Sequence, residues 1–303
     1  MNIRYGSMCI LCLCLALQAK AQEIKIGNYT FKDGAEYQGE LFKGKPYGKG
    51  TTIFKNGDSY QGEYVKGKRQ GYGVYKFPDG EKYEGEWFQD QQHGRGIYYF
   101  MNNNKYDGLW FRDYQHGEGT MYYYNGDVYK GKWNEDKRDG YGEYKYANGA
   151  SYRGHWSGDQ KNGKGRFDWG DGSWYDGMWK NNQRNGKGTF NYADGDVYTG
   201  EWVDDIQHGK GIYKFHNGDV YEGEWKNGQM NGEGILRLAD GSKFKGTFVN
   251  GEKNGFGIMV DENGMRFEGN FKDNEKDGPF VLKDKDGNVT QKGTYSHGVV
   301  VKQ

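Results

Sequence analysis

Three histidines, His93, His116 and His208, recur at one phase of this chain, the first two 23 residues apart. Imidazoles so spaced, joined by a carboxylate, are the raw material of a zinc site. The same phase elsewhere holds Gln70, Asp139, Asn162, Asn185, Asn231, Asn254 and Asp277. Asn, Asp and His tolerate positive φ better than other side chains, so the position is expected in a turn rather than around a metal. Asn-Gly-Asp at 56–58, 125–127 and 217–219 clusters oxygens that suit calcium. It lacks the spaced ligands of a calcium loop, and hairpin chemistry accounts for it. Gly-x-Gly pairs such as Gly48 and Gly50 resemble phosphate loops. No G-x-G-x-x-G between strand and helix and no Walker lysine completes them. No serine, cysteine or carboxylate pair departs from the repeating pattern as a nucleophile or general base would. The expectation is therefore no enzyme, no cofactor and no metal.

What remains is an architecture. Fifty-three glycines, three prolines and a mean hydropathy of −1.10 suggest disorder, but Phe, Trp and Tyr form 17% of the 303 residues. Rings supply the apolar surface that disordered chains lack, so the core must be aromatic. Arg4, an apolar run from Met8 to Leu17 and Ala19-Lys20-Ala21 before Gln22 have the layout of a secretory signal peptide over residues 1–21. That predicts export to the periplasm, cell envelope or extracellular space of a bacterium, unless the segment is retained as an anchor. Cys9, Cys12 and Cys14 all lie in it, so the mature chain would have no disulfide. Of the 42 basic and 42 acidic residues, removing Arg4 and Lys20 leaves 40 against 42, near −2. No basic face for nucleic acid is implied.

Tyr37, Tyr60, Tyr83, Tyr106, Tyr129, Tyr152, Tyr175, Tyr198, Tyr221, Phe244 and Phe267 follow one another every 23 residues. With these as position zero, position two is always Gly, from Gly39 to Gly269. Position four is Leu41, Tyr64, seven tryptophans from Trp87 to Trp225, then Phe248 and Phe271. Positions eleven and thirteen form Gly-x-Gly from Gly48 and Gly50 to Gly255 and Gly257, lost at Gly278-Pro279-Phe280, and nineteen and twenty are Asn-Gly or Asp-Gly with Asn102-Asn103 the departure. This Y-x-G-x-W…G-x-G unit resembles the MORN repeat. The resemblance implies an elongated, twisted, single antiparallel sheet of about twelve tandem β-hairpins, an all-β array without activity of its own. In that family such repeats serve protein scaffolding, dimerisation and membrane attachment. The array is expected over residues 22–298: a half-repeat at 24–36, in-phase repeats at 37–289 and a cap at 290–298, followed by a tail at 299–303.

Each repeat is expected to give two strands, from about position 21 to five and from thirteen to eighteen. Pro78-Asp79-Gly80 favours a three-residue hairpin loop, with proline at the first turn position and glycine left-handed. That loop sets Tyr98 opposite Tyr106, Gly96 opposite Gly108 and Gly94 opposite Trp110. It also pairs Lys49 with Glu63, Glu118 with Lys132, Lys187 with Glu201 and Lys210 with Glu224, all opposite charges. Strand glycines then lie beneath large rings, which offset their weakness.

On the other face the pattern breaks in two repeats, at Phe88, Ile97, Tyr99, Leu109, Phe111 and Tyr122. Exposed apolar residues among polar neighbours mark partner sites. The reading that follows is an exported, non-catalytic scaffold binding a protein partner. The alternatives are a phospholipid-surface binder, which would need a cationic face, and a glycan binder stacking sugars in the aromatic groove. Open sheet edges also allow a homodimer.

Overall fold

The computed structural model describes residues 23–302; the expected signal segment at 1–21 lies outside them. The chain forms one open antiparallel sheet of twenty-five strands, from β1 (Lys25–Thr30) to β25 (Val299–Lys302), each paired with its chain neighbours. No helix long and apolar enough to cross a membrane occurs among the described residues. The repeat at Tyr83 shows the unit, with β6 (Lys82–Phe88) followed by β7 (Gln91–Tyr99) and then β8 (Lys105–Phe111) of the next copy.

Copies are joined by the expected three-residue loop. The Gly80 amide donates to the Phe77 carbonyl and the Phe77 amide to the Glu81 carbonyl, with Gly80 at φ 97°. Where glycine is missing, Asn103 adopts φ 64° in its place. The register follows: Tyr98 opposes Tyr106, Gly96 opposes Gly108, and Gly94 opposes Trp110. The four charge pairs are cross-strand neighbours as well.

Inside the repeat the structure differs from the expectation. The second strand begins five residues earlier, at position eight, because a two-residue turn at positions six and seven closes the hairpin. Both of its residues are left-handed, as in Gln89 (φ 50°) with Asp90 (φ 74°) and Asn181 (φ 49°) with Asn182 (φ 70°). This is the type I′ geometry that matches strand twist. Position ten is thus no turn: His93, His116 and His208 lie inside strands. The left-handed residue is its neighbour, Gly94 at φ 58°, where the pairing shifts from Gly85–Gly96 to Glu86–His93. The two glycines of Gly-x-Gly therefore have separate tasks, one forming a bulge and the other lying under a ring. At the C-terminus, His297 and Gly298 make another left-handed pair (φ 47° and 76°). Val299–Lys302, expected as a tail, instead continue into β25 against β24 (Val289–Ser296).

The position-zero rings are buried and lie over paired glycines. A Cβ on Gly142 would sit 2.4 Å from the Tyr129 hydroxyl. That hydroxyl donates to the Lys132 carbonyl at 3.0 Å, and the bond recurs from Tyr37 with Glu40 to Tyr221 with Glu224. Tryptophan Nε1 groups donate across to the previous copy, as Trp133 does to the Gly119 carbonyl at 3.3 Å; Trp156 Nε1 is buried without a partner among the described residues. Tyr106 meets Trp110 edge-on at 5.2 Å and Trp133 at 5.3 Å. Such contacts run from Tyr37 to Phe271, so the core is one row of interlocked rings. Tyr129→Phe leaves the ring but removes the hydroxyl that donates to the Lys132 carbonyl. We expect it to cost about 1–2 kcal/mol in urea unfolding. An unchanged midpoint would show that the hydroxyl contributes nothing.

Candidate functional site: the outer face of two repeats

Alternation turns positions three and five of the first strand and positions fourteen and sixteen of the second away from the rings, and all six predicted residues lie on that outer face. Phe88, Leu109, Phe111 and Tyr122 are exposed, Phe88 at 48% and Phe111 at 44%, while Ile97 and Tyr99 are half-buried. They form two ribbons rather than one spot. Near the two-residue turns, Phe88, His93, Phe111 and His116 alternate with centroids 5.5, 5.4 and 5.7 Å apart. Near the three-residue loops, Tyr99 lies under the Lys82 ammonium at 4.2 Å and Tyr122 under that of Lys105 at 4.3 Å. The Glu84 carboxylate, 2.7 Å from Lys82 Nζ, holds that lysine above its ordinary value. The ribbons are separated by about 20 Å, the length of a seven-residue strand. Ile97, paired with Asp107, and Leu109, paired with Arg95, lie between them.

Sequence reasoning missed Tyr114, opposite Phe111, and both imidazoles of the first ribbon. All three belong to positions eight and ten, which the expected strand did not reach. Position ten elsewhere secures the next copy's turn, as Asn185 Nδ2 does by donating to the Asp204 carboxylate at 3.1 Å. His93 and His116 pack on rings instead.

The ring face carries a second regularity. Arg69, Arg138 and Arg184 at position nine lie over Trp87, Trp156 and Trp202 at 4.2, 4.2 and 4.4 Å. Each also pairs with an aspartate of the next turn, Asp90, Asp159 or Asp205. Lys161 occupies the same place over Trp179 with neutral Asn182 as its neighbour, and burial pushes it down to about 8. Among the described residues no three His, Cys, Asp or Glu side chains converge to hold a metal.

A sheet built hairpin by hairpin, with its rings consumed in the core and its exceptions on the surface, defines a tandem β-hairpin repeat protein. The MORN repeat profile matches eleven consecutive stretches, 37–59 through 267–289, and the chain belongs to the MORN repeat family. Among solved structures it is similar to the TCP10 domain of Danio rerio CPAP in complex with a STIL peptide. That match has 14% identity, covers 75% of this chain and 96% of that one, and has a TM-score of 0.37. The SAS-4 TCP domain of Drosophila melanogaster, with a proline-rich motif of Ana2, gives 16%, 51% and 85%, with a TM-score of 0.34. Virginiamycin B lyase from Staphylococcus aureus gives 10%, 89% and 95%, with a TM-score of 0.14. No curated protein matches in sequence.

Proposed function

We propose that the chain is a non-catalytic scaffold that is exported and binds a protein partner through the outer face of the repeats at 83 and 106. The supporting observation is the exposed aromatic ribbon Phe88–His93–Phe111–His116. The same surface positions carry Asn134, Asp139, Ser157 and Asn162 in the two following copies. Rings and histidines grouped this way offer the mixed apolar and polar surface typical of protein interfaces. The near-equal acidic and basic totals weigh against an anionic lipid surface.

The test uses full-length protein from native cells. We expect it in the envelope or secreted fraction, beginning at Gln22, and cross-linked to one defined protein. Phe111→Asp should reduce that cross-link at least tenfold, whereas Val203→Asp, at the equivalent exposed position of a distant copy, should not. Equal retention by both variants overturns the assignment of the face. Flotation with anionic vesicles, or tryptophan quenching by polysaccharide, in place of the cross-link would favour the lipid or glycan reading.

A further inference from the structure

On the ring face, two repeats keep the turn aspartate but lack the arginine that pairs with it elsewhere. In the repeats at 83 and 106, position nine is Gln92 and Gln115 in place of arginine, yet Asp113 and Asp136 remain at the next turns. Among the described residues their carboxylates accept only the backbone bond made wherever this turn position is Asp or Asn, from the Gln92 amide at 2.7 Å and the Gln115 amide at 2.8 Å. Asparagine serves that bond equally, since Asn182 and Asn274 accept from Lys161 and Lys253 at 2.8 and 2.9 Å. The turn therefore does not need the negative charge. Elsewhere position nine and the next turn vary together: aspartate follows Arg69, Arg138 and Arg184, asparagine follows Lys161 and Lys253, and glycine follows Gln207 and Met230. Asp113 and Asp136 are thus arginine-pairing residues without their arginines.

Glutamine ends where an arginine's guanidinium begins, so each gap leaves room for a planar cation. A cavity of about 620 Å³ lies there, bounded by Gln92, Gln115, Trp110, Trp133, Asp113 and Asp136. Gln92 and Gln115 are only 8% and 5% exposed, and both line this cavity. Among the described residues Arg138 is the one cation lining the cavity, and it is already bonded to Asp159 at 2.8 Å.

We infer that this cavity takes two arginine side chains of a partner peptide, replacing the arginines the two repeats lack. Arg138 provides the template: Nε donates to the Asp159 carboxylate at 2.8 Å and an Nη to the Asp159 carbonyl at 3.0 Å, with the plane over Trp156. That two-point bond requires a guanidinium and not an ammonium. Equivalent points in neighbouring copies are two strands, about 10 Å, apart. A polyproline II chain returns to the same side every third residue, roughly 9.3 Å on, so the matching ligand is Arg-x-x-Arg. This site lies on the opposite face from Phe111 and does not depend on the scaffold assignment.

The experiment titrates a labelled Arg-x-x-Arg peptide into the full chain and reads fluorescence anisotropy at low and high salt. Saturable binding is expected, weakened at least tenfold by citrulline or by lysine at either arginine, the first lacking the charge and the second the two-point bond. Asp113→Asn with Asp136→Asn should weaken it at least tenfold with an unchanged melting temperature, because asparagine keeps the turn. Gln92→Arg with Gln115→Arg should fill the site internally and abolish binding while the fold persists. Phe111→Asp should leave it intact. Absence of saturable binding, equal binding of the citrulline peptide, or undiminished binding by the double-arginine variant would each overturn the inference.

Discussion

Gly142→Ala is expected to destabilise the sheet by about 3 kcal/mol, far more than alanine at a glycine with open space around it. The added Cβ would meet the Tyr129 hydroxyl at 2.4 Å and its Cζ at 2.6 Å. The ring has no room to retreat, since Trp133 and Trp156 hold it edge-on at 5.2 and 5.5 Å and its hydroxyl is tied to Lys132. Moving the backbone instead would break the Gly131–Gly142 register. Gly149→Ala is the control. Its Cβ would find nothing within 4 Å, so only the strain of φ 92° remains, about 1 kcal/mol. Gly80→Asn should be nearly neutral, as Asn103 occupies the same loop position at φ 64°. Urea unfolding followed by circular dichroism ranks the three. A cost at Gly142 no greater than at Gly149 would mean that the rings do not need bare backbone beneath them. Because each copy contacts only its neighbours, the Gly142 variant is also expected to lower the denaturant slope, as the array divides at the lesion.

The three-residue loop could be read because Pro78-Asp79-Gly80 places a residue of fixed φ and a residue free to turn left-handed in their proper order. Position zero and its glycines could be read because eleven copies repeat them. The two-residue turn could not, since pairs such as Gln89-Asp90 and Glu135-Asp136 adopt left-handed conformations that their side chains do not prefer. What holds them is a bond from another copy: the Asp90 carboxylate accepts the Arg69 amide at 2.8 Å, across 21 residues. Reading one copy at a time conceals that support. The outer residues were assignable from alternation, but their division into two ribbons depends on strand length. The imidazoles of the first ribbon depended on a strand start that this hidden turn determines. Gln92 and Gln115 carried a signal, the retained aspartates, that becomes meaningful only once positions nine and seven are seen to touch.

Alkali is expected to unfold this protein abruptly, near pH 11, through its tyrosines. Burial pushes Tyr60, Tyr83, Tyr106, Tyr129, Tyr152, Tyr175, Tyr198 and Tyr221 well above the ordinary phenol range, and Tyr37 and Tyr64 up to about 12. The native state therefore holds these phenols neutral while the unfolded chain ionises near pH 10. Their contribution is complete below that pH and is lost as pH climbs towards the folded value. One unit above the ordinary value, each costs about 1.4 kcal/mol, so the eight together remove roughly 11 kcal/mol, as much as the whole stability of a typical domain. Lys161 acts in the opposite direction. Its folded value of about 8 lies below the unfolded one, so the unfolded chain binds the extra proton between them and stability rises across that interval. The rise is at most about 3 kcal/mol, reduced by solvent at the partly exposed ammonium. The stability curve should thus climb gently from about pH 8 to 9 and then collapse; Lys253 and Lys276, also pushed down by burial, add to the climb, so Lys161→Met should lessen it and leave the collapse. Tyrosinate absorbance and the β signal in circular dichroism should change together in that collapse. A native β signal persisting while these phenols titrate one after another would show that the ring row admits hydroxide without unfolding, and that its hydroxyls are not sealed against the backbone.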